Sequence, residues 1–203
     1  MEPLTRDRIL DTALNLIMTD GLRRASLAEI ARRLRVVKSA LYHHFPGGKG
    51  EIVDQVFERE ESGILAEAER AVAAAVGTRA QLAALAGSTV AHVVRLARLY
   101  PVRDEAADQI ELYLEQRRRS FLDREREGIA AVIRRGIAGG EVREVDADLA
   151  AAAIQGALRQ IVRTFALKPG RSSAPVLRRV VDLVLDGIGG RPWTPGPPSP
   201  PSR

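Results

Sequence analysis

Apolar residues recur every three or four positions along most of the chain, and no stretch alternates apolar and polar residues as a strand would. Thr5 is a candidate N-cap for the first helix, and Gly21 is the candidate residue that ends it. The apolar face between them consists of Ile9, Leu10, Ala13, Leu14 and Ile17. The pattern predicts an all-α fold that begins with an amphipathic helix of about four turns.

Two short helices are predicted next. Ser26 and Glu29 have the spacing of a capping box, in which Ser26 accepts from the backbone N–H of Glu29 and the glutamate reaches back. This second helix ends near Leu34, and a tight connection over residues 35–37 leads to a third helix over residues 38–45. Two short helices joined by such a turn have the form of a helix-turn-helix.

Longer helices are predicted beyond residue 49. They are expected at 50–75, 79–99, 104–138, 147–167 and 175–188, between glycines and prolines that end helices. Three consecutive arginines at 117–119 interrupt an apolar stripe, which leaves open whether 104–138 is one helix or two.

Three parts of the chain follow from this pattern. A helix-turn-helix domain over residues 1–49 precedes a larger helical domain over residues 50–189. Residues 190–203 are rich in proline, which lacks a backbone N–H and breaks helices, so they are predicted to be a disordered tail.

The charge is concentrated in the first part. The chain has 31 basic and 26 acidic residues, a net charge of +5. Residues 22–49 contain seven basic residues against Glu29 alone, so 7 minus 1 gives +6. Such a concentration is expected of a protein that binds a phosphate backbone, although a solvated charged face has the same composition.

The third predicted helix carries polar groups suited to phosphates and base edges, namely Lys38, Ser39, Tyr42, His43 and His44. A core helix would not carry so many, which favours a DNA-reading helix over an ordinary corner between two bundle helices. Adjacent helical residues diverge by about 100°, so the two histidines do not form a metal site, and no metal is expected.

The segment TRDRILDTALNLIMTDGLRRASLAEIARRLRVVKSALYHHFPGGKGEIVDQVF resembles the DNA-binding segment of the tetracycline-repressor (TetR) family of bacterial transcription regulators. A weaker similarity lies in IRRGIAGGEVREVDADLAAAAIQG, where Gly136, a Gly-Gly-Glu turn and Asp146 or Asp148 precede a helix of small residues. The resemblance implies a homodimer that reads a palindromic double-stranded DNA operator. It also implies an all-helical carboxy-terminal domain that binds a small-molecule effector and then releases DNA.

The resemblance implies which residues contact the DNA backbone. Ser26 and Lys49 would bind phosphate near helix starts, where free backbone N–H groups favour anions. Tyr42 and His43 or His44 would contact the backbone on either side. Tyr42 has an alternative position in the core beneath its helix.

The bases would be read by the leading end of the third helix, which comprises Val37, Lys38, Ser39 and Ala40. Lys38 has the length to approach guanine acceptors, and Ala40 suits a thymine methyl group.

Three positions depart from the family pattern. Arg35 stands where the family usually has glycine, and a left-handed conformation there costs about 1 kcal/mol, while the guanidinium adds a possible phosphate contact. Val37 replaces a serine or threonine cap whose hydrogen bond is worth about 1 kcal/mol. The segment from Phe45 to Lys49 contains one residue more than the commonest spacing.

Two carboxy-terminal helices have faces that suit a dimer interface. The last helix has an apolar stripe wider than one intrachain contact needs, and the helix before it offers small residues that permit close approach. The predicted interface consists of Leu149, Ala153, Gly156, Ala157 and Gln160 with Val176, Leu177, Val180, Val181, Val184, Leu185 and Ile188. The alternative is that both helices form the core of a monomer.

Candidate effector contacts are polar or aromatic residues on otherwise apolar helices. They are His92, Arg95, Tyr100, Gln109, Tyr113 and Phe121. Each has the alternative role of a hydrogen-bonded core residue. With few aromatics and no acidic cluster nearby, the sequence favours a modest apolar or weakly anionic effector over a planar polycation.

Several classes of protein are disfavoured. No residue is cysteine, which removes disulfides and thiolate metal sites. The longest uncharged stretch, over residues 80–94, is shorter than the ~20 apolar residues of a membrane span, and the charged amino terminus is unlike a signal peptide, so we expect a cytoplasmic protein.

No catalytic or cofactor-binding motif is found, so neither enzymatic activity nor a cofactor is expected. The sequence favours a ligand-responsive repressor. A transcriptional activator and a ligand-independent regulator remain alternatives, with a helical enzyme or scaffold that does not bind DNA as a more distant one.

Overall fold

The computed structural model describes residues 3–100, 104–117, 119–162 and 182–183. These ranges consist of helices and the turns between them and contain no strand, which confirms the all-α prediction. The helices are α1 (Arg6–Asp20), α2 (Leu27–Leu34), α3 (Lys38–His44), α4 (Gly48–Ala73), α5 (Thr78–Leu99), α6 (Asp104–Arg117), α7 (Arg119–Ala138) and α8 (Ala147–Ile161).

The first two helices begin at the predicted caps. Thr5 Oγ1 accepts from the backbone N–H of Arg8 at 3.3 Å, and Ser26 Oγ accepts from that of Glu29 at 3.2 Å. The reciprocal half of the capping box was wrong. The Ser26 N–H donates to the carbonyl of Arg24 at 2.7 Å, because the Glu29 carboxylate is bound to two arginines of its own helix.

Two apolar cores follow from the arrangement of these helices. The amino-terminal core is formed by α1, α2, α3 and the first turns of α4, and it includes Ile9, Ile17, Ile30, Leu41, Phe45, Ile52 and Val56. The second core joins α5, α7 and α8 and includes Ala68 of α4. Helix α4 therefore belongs to both cores, and the first core continues past residue 49, the predicted domain boundary.

Residues 104–117 and 119–138 are helical, as α6 and α7, and residue 118 between them lies outside the described residues. Helix α8 begins after Asp146, whose side chain accepts from the backbone N–H groups of Asp148 and Leu149 at 3.0 Å. Of the predicted last helix only residues 182–183 are described, and both are helical. The predicted tail over residues 190–203 lies outside the described residues.

The last turn of α7 and the glycine-rich turn after it have a structural role. A Cβ on Gly136 would lie 2.3 Å from Thr78 Oγ1, so only glycine allows α5 to begin this close to α7. Glu141 Oε2 accepts from the backbone N–H of Thr78 at 2.7 Å and so caps α5. The turn therefore joins two helices of the second core.

Helix α5 is long and apolar enough, by length and composition, to cross a membrane, although the sequence predicted no such span. It is the one helix of this kind in the described part of the chain. Leu82, Leu85, Ala86 and Val90 of α5 are buried in the second core, so its apolar character also serves helix packing.

Candidate functional site

Helix α3 is held by one buried face and exposes the other. Leu41 and the following Phe45 are fully buried in the amino-terminal core. The opposite face leaves Val37 69% exposed and Tyr42 49% exposed. Lys38, Ser39 and His43 are exposed on the same helix, and Ala40 and His44 are partly buried. The predicted base-reading end is therefore a largely solvent-facing surface on a helix anchored by Leu41 and Phe45.

Tyr42 is not a core residue, so that alternative was wrong. Its ring lies against the start of α4, where a Cβ on Gly48 would approach Tyr42 Cε1 to 3.2 Å. Gly48 has φ +67°, a conformation that favours glycine and allows the turn between α3 and α4. The half-exposed phenol therefore lies beside the turn, where a DNA backbone can reach it.

The connection between α2 and α3 has both predicted irregularities. Arg35 is left-handed, with φ 58° and ψ 43°, and its side chain is exposed. Val37 is the N-cap of α3 and makes no side-chain capping bond. The exposed guanidinium and the exposed valine thus stand together at the start of α3.

Ser26 and Lys49, the predicted phosphate contacts, both have partners within the chain. The Ser26 hydroxyl caps α2. Lys49 Nζ donates to the carbonyl oxygens of Leu22 at 2.6 Å and Arg23 at 3.4 Å. Partial burial lowers the pKa of Lys49. Its ammonium group therefore joins the start of α4 to the connection between α1 and α2, whether or not it also meets a phosphate.

Part of the basic charge of residues 22–49 is neutralised within the chain. The Arg32 guanidinium, hydrogen-bonded to Glu29, lowers the pKa of that carboxyl to about 2, with a further contribution from Arg33. Arg33 also donates to Asn15 Oδ1 at 2.7 Å and Asp20 Oδ2 at 3.0 Å, which ties α2 to α1.

Other basic residues of this region are exposed, namely Arg23, Arg24, Arg35 and Lys38. They have no ion-pair partner among the residues that the structure describes. The positive charge available to DNA therefore lies beside α3 and at the connection that precedes α2.

Arg6 positions α3 and was missed in the sequence. Its Nη1 donates to the backbone carbonyl of His44, and its Nη2 donates to Gln55 Oε1 at 2.8 Å. The guanidinium lies 4.1 Å from the centroid of the Phe45 ring, a cation–π contact. These partners lie 38 and more residues along the chain, so no local pattern indicates them.

A cavity of about 400 Å³ lies between α4, α5 and α7. Its lining includes Ile64, Ala68, Leu85, Thr89, Glu125 and Val132. The size is typical of sites for small molecules, and most of its lining is apolar. None of the six predicted effector contacts lines this cavity as the described residues form it.

His92 and Arg95 belong to an ionic cluster between α4 and α5. His92 is 3% exposed, with Nδ1 at 3.2 Å from Glu67 Oε2 and Nε2 at 3.4 Å from Glu60 Oε2. Arg95 Nη2 donates to Glu67 Oε1 at 2.8 Å. The nearby His92 ring lowers the pKa of Glu60, and the hydrogen bond from Arg95 lowers the pKa of Glu67.

Tyr100, Gln109 and Tyr113 lie beside the amino-terminal core. Tyr113 stacks on Phe57 with ring centroids 4.7 Å apart, and its hydroxyl donates to Asp54. Tyr100 packs against the same core, and Gln109 Oε1 accepts from the backbone N–H of Arg23 at 3.0 Å. Phe121 is buried on α7. Three of the predicted effector contacts therefore join the end of α5 and α6 to the amino-terminal core and the connection before α2.

The predicted dimer residues of α8 form one stripe that faces away from the core. Leu149, Ala153, Gly156 and Gln160 are exposed, and Ala157 is partly buried. The face turned inward carries Ala151, Ile154 and Leu158. The other predicted dimer residues, Val176, Leu177, Val180, Val181, Val184, Leu185 and Ile188, lie outside the described residues.

Comparison with known proteins agrees with this arrangement. Residues 9–56 match the profile of the family described as bacterial regulatory proteins, tetR family. The HTH-type transcriptional repressor KstR2 of Rhodococcus jostii (strain RHA1) is 26% identical over 191 residues, 90% of each chain. The HTH-type transcriptional regulator AcrR of Shigella flexneri is 40% identical over 60 residues, 30% of this chain and 27% of that protein.

A similar solved structure is that of the TetR family transcriptional regulator PfmR from Thermus thermophilus. It superposes with a TM-score of 0.67 at 28% identity, over 89% of this chain and 98% of that one. The similarity therefore extends beyond the helix-turn-helix to the second core.

Proposed function

We propose that the chain is a regulator of the TetR family, a cytoplasmic repressor that binds a palindromic operator as a homodimer. We further propose that an effector in the cavity between α4, α5 and α7 releases the operator. The observation that carries the proposal is the exposed face of α3, with Lys38, Ser39, Tyr42 and His43, supported by buried Leu41 and Phe45.

The sides of α3 have distinct roles in this proposal. Lys38 and Ser39 would meet base edges in the major groove, where lysine suits guanine acceptors. Tyr42 and His43, one turn further, would contact the DNA backbone and set the register of the helix. Arg35 would add a phosphate contact at the entry of α3.

The exposed stripe of α8 supports the dimer. Alanine and glycine at positions 153 and 156 permit close helix approach, and Leu149 supplies exposed apolar area. A two-fold dimer repeats α3 on a second half-site, which explains why such a regulator reads a palindrome.

The link from cavity to α3 runs through α4. This helix supplies Ile64 and Ala68 to the cavity wall, and its first turn holds Lys49 against Leu22. An effector shifts DNA affinity only if it binds one arrangement of α4 better than the other. Release of DNA therefore requires a bound state in which the two α3 helices no longer match the groove.

Selection from a pool of random DNA duplexes tests the proposal. We expect enrichment of a palindrome whose half-sites lie about one helical turn apart, with affinity that falls steeply between about 50 and 200 mM salt. A reporter placed behind that operator should be less active when the protein is present. Enrichment of no sequence, with salt-sensitive binding to every duplex alike, would contradict the proposal.

A further inference from the structure

The connection between α1 and α2, residues 21–26, is held by side chains from two other helices. Gln109 of α6 accepts at Oε1 from the backbone N–H of Arg23 at 3.0 Å. Lys49 of α4 donates from Nζ to the carbonyl of Leu22 at 2.6 Å and to that of Arg23 at 3.4 Å. Both backbone polar groups of Arg23 are therefore bound by side chains from outside the connection.

The rest of this connection is closed by its own hydrogen bonds. The Ala25 N–H donates to the Gly21 carbonyl at 3.2 Å, and the Ser26 N–H donates to the Arg24 carbonyl at 2.7 Å. Gly21 is buried with φ +86°, and a Cβ there would lie 3.0 Å from Gln109 Oε1. A backbone bound at these points is preorganised, so its side chains meet a partner at a smaller cost in conformational entropy.

The side chains of Arg23 and Arg24 are exposed on this fixed backbone. Neither guanidinium has a hydrogen-bond or ion-pair partner among the described residues, whereas Arg32 and Arg33 in the next helix are paired with Glu29. A guanidinium binds a phosphate through two parallel N–H groups. Two such groups without an internal partner, side by side on a preorganised turn, are suited to phosphates of a DNA backbone.

The start of α4 places the connection beside the exposed face of α3. A Cβ on Gly48 would lie 3.2 Å from Tyr42 Cε1 of α3 and 3.6 Å from Leu27 Cδ1 of α2. The next residue, Lys49, binds the carbonyl of Leu22. The half-exposed Tyr42 ring and the connection therefore both lie against the first turn of α4.

We propose that Arg23 and Arg24 bind backbone phosphates beside the half-site that α3 reads, and that Gln109 is the positioning residue that holds them there. The inference rests on the proposed function, since it extends the same DNA-binding surface. It gives α6, a helix outside the helix-turn-helix, a part in DNA affinity. Phosphate contacts carry no sequence information, so these residues strengthen binding to operator and to random DNA alike.

The salt dependence of binding tests the phosphate contacts. Fluorescence anisotropy of the full chain is measured on the selected operator and on a random duplex between about 50 and 200 mM salt. Arg23→Ala and Arg24→Ala should each lower the slope of log affinity against log salt by about 0.9 for each subunit, and should weaken both duplexes about fivefold or more. An unchanged slope in either variant would overturn the contact assigned to that arginine.

Arg70→Ala is the matched control for these two variants. Arg70 is exposed on α4, about 30 Å further along that helix than Lys49, which is several Debye lengths from the connection. Its loss removes the same charge and should leave the salt slope unchanged. An equal fall of the slope in all three variants would mean that net charge, and not a phosphate contact, sets the slope.

Gln109→Met tests the positioning role, because it removes the acceptor and keeps the length of the side chain. It should weaken both duplexes about threefold, whereas Gln116→Met, at an exposed position of the same helix, should leave both unchanged. In the Gln109→Met background, the loss caused by Arg24→Ala should shrink about twofold or more, a coupling that a general loss of stability does not produce. The same loss in both backgrounds would overturn the positioning role.

Gln109→Asn gives a second variant for this cycle. It keeps the amide but shortens the side chain by one methylene group, so it should weaken DNA binding and couple to Arg24→Ala as the methionine variant does. It takes the place of Gln109→Met if urea unfolding shows that the methionine variant is not folded.

The two proposals fail separately. An enriched operator that binds the wild type and all of these variants equally would overturn the contacts at the connection and leave the repressor intact. Binding to random DNA that depends on Arg23, Arg24 and Gln109, without any enriched operator, would overturn the proposed repressor and leave the contacts intact.

Discussion

The ammonium group of Lys49 in the first turn of α4 donates to the carbonyl oxygen of Leu22, 2.6 Å away, in the connection between α1 and α2. Gln109 of α6 holds the same connection, because its Oε1 accepts from the backbone N–H of Arg23 at 3.0 Å. A Cβ on Gly21 would lie 3.0 Å from that same oxygen, so glycine also permits this approach. Helices α4 and α6 therefore both hold the segment that leads into α2.

Replacing Lys49 by methionine should affect both folding and DNA binding. The free energy of unfolding should fall by about 1–2 kcal/mol, because the Leu22 carbonyl loses a charged donor that is partly buried. Affinity for operator and for random DNA should fall alike, as measured by fluorescence anisotropy together with urea unfolding.

Lys38→Ala is the matched control for Lys49. Lys38 is exposed on α3, so its loss should leave stability unchanged and weaken the operator more than random DNA. The same loss of sequence preference in both variants would contradict the separate roles given to the two lysines.

Arg35 combines a conformational cost with a positive charge, and two substitutions separate them. Arg35→Gly should raise the free energy of unfolding by about 1 kcal/mol, because glycine adopts φ 58° without the Cβ clash. Arg35→Ala keeps that clash and should leave stability unchanged. Both should lower the salt dependence of operator binding by about one phosphate contact. Equal stabilisation by alanine and glycine would show that the left-handed conformation carries no cost.

The sequence predicted the helix-turn-helix well, because its signals are local. Thr5 and Ser26 cap the first turn of their own helices, and Gly21 ends α1. The short connection between α2 and α3 accounts for the left-handed conformation at Arg35. The reciprocal bond from Glu29 failed because two arginines on the same helix compete for the carboxylate with charge-assisted hydrogen bonds.

The cavity could not be predicted in the same way. Large polar and aromatic side chains were expected to mark the effector site, but Tyr113 stacks on Phe57 of α4 and Gln109 binds the connection before α2. A cavity instead forms where small residues face one another, as Ala68, Gly128 and Ala131 do here. Such positions are recognised only when the helices that carry them are placed side by side.

The cluster around His92 predicts an acid-sensitive contribution to stability. The pKa values of Glu60 and Glu67 lie below the ordinary 4.5 because His92, Arg95 and Arg59 favour the ionised carboxylates. The unfolded chain therefore takes up protons first as the pH falls. This contribution is complete above about pH 4.5 and is lost as the pH falls through the lowered values.

Urea midpoints measured from about pH 3 to about pH 6 should show this loss, and Glu60→Gln should make the dependence on pH shallower. Glu69→Gln removes an exposed carboxylate from the same helix and serves as the control. An acid dependence unchanged by Glu60→Gln would exclude a contribution from this cluster.

The exposed stripe of α8 gives a direct test of the proposed dimer. Ala153→Glu places a charge on each side of a two-fold interface, where repulsion and desolvation oppose association. Light scattering should give a mass of 22.1 kDa for the variant and twice that for the wild type. Ala83→Glu, at an exposed position of α5, is the control and should stay dimeric. Dissociation by both variants, or by neither, would place the interface elsewhere.

Arg6 should act on DNA binding through the position of α3. Its guanidinium reaches the His44 carbonyl at the end of α3, Gln55 of α4 and the face of the Phe45 ring. Arg6→Met should lower the free energy of unfolding by about 1 kcal/mol, since the side chain is half exposed, and should loosen α3. The operator should then lose more affinity than random DNA does.

Arg6→Lys distinguishes positioning from a simple phosphate contact. Lysine keeps the charge but lacks the planar fork that spans the three partners, so it should not restore operator affinity. Arg8→Met, which removes a charge from the same helix, should weaken operator and random DNA equally. Full rescue by lysine would mean that Arg6 serves DNA binding through its charge alone.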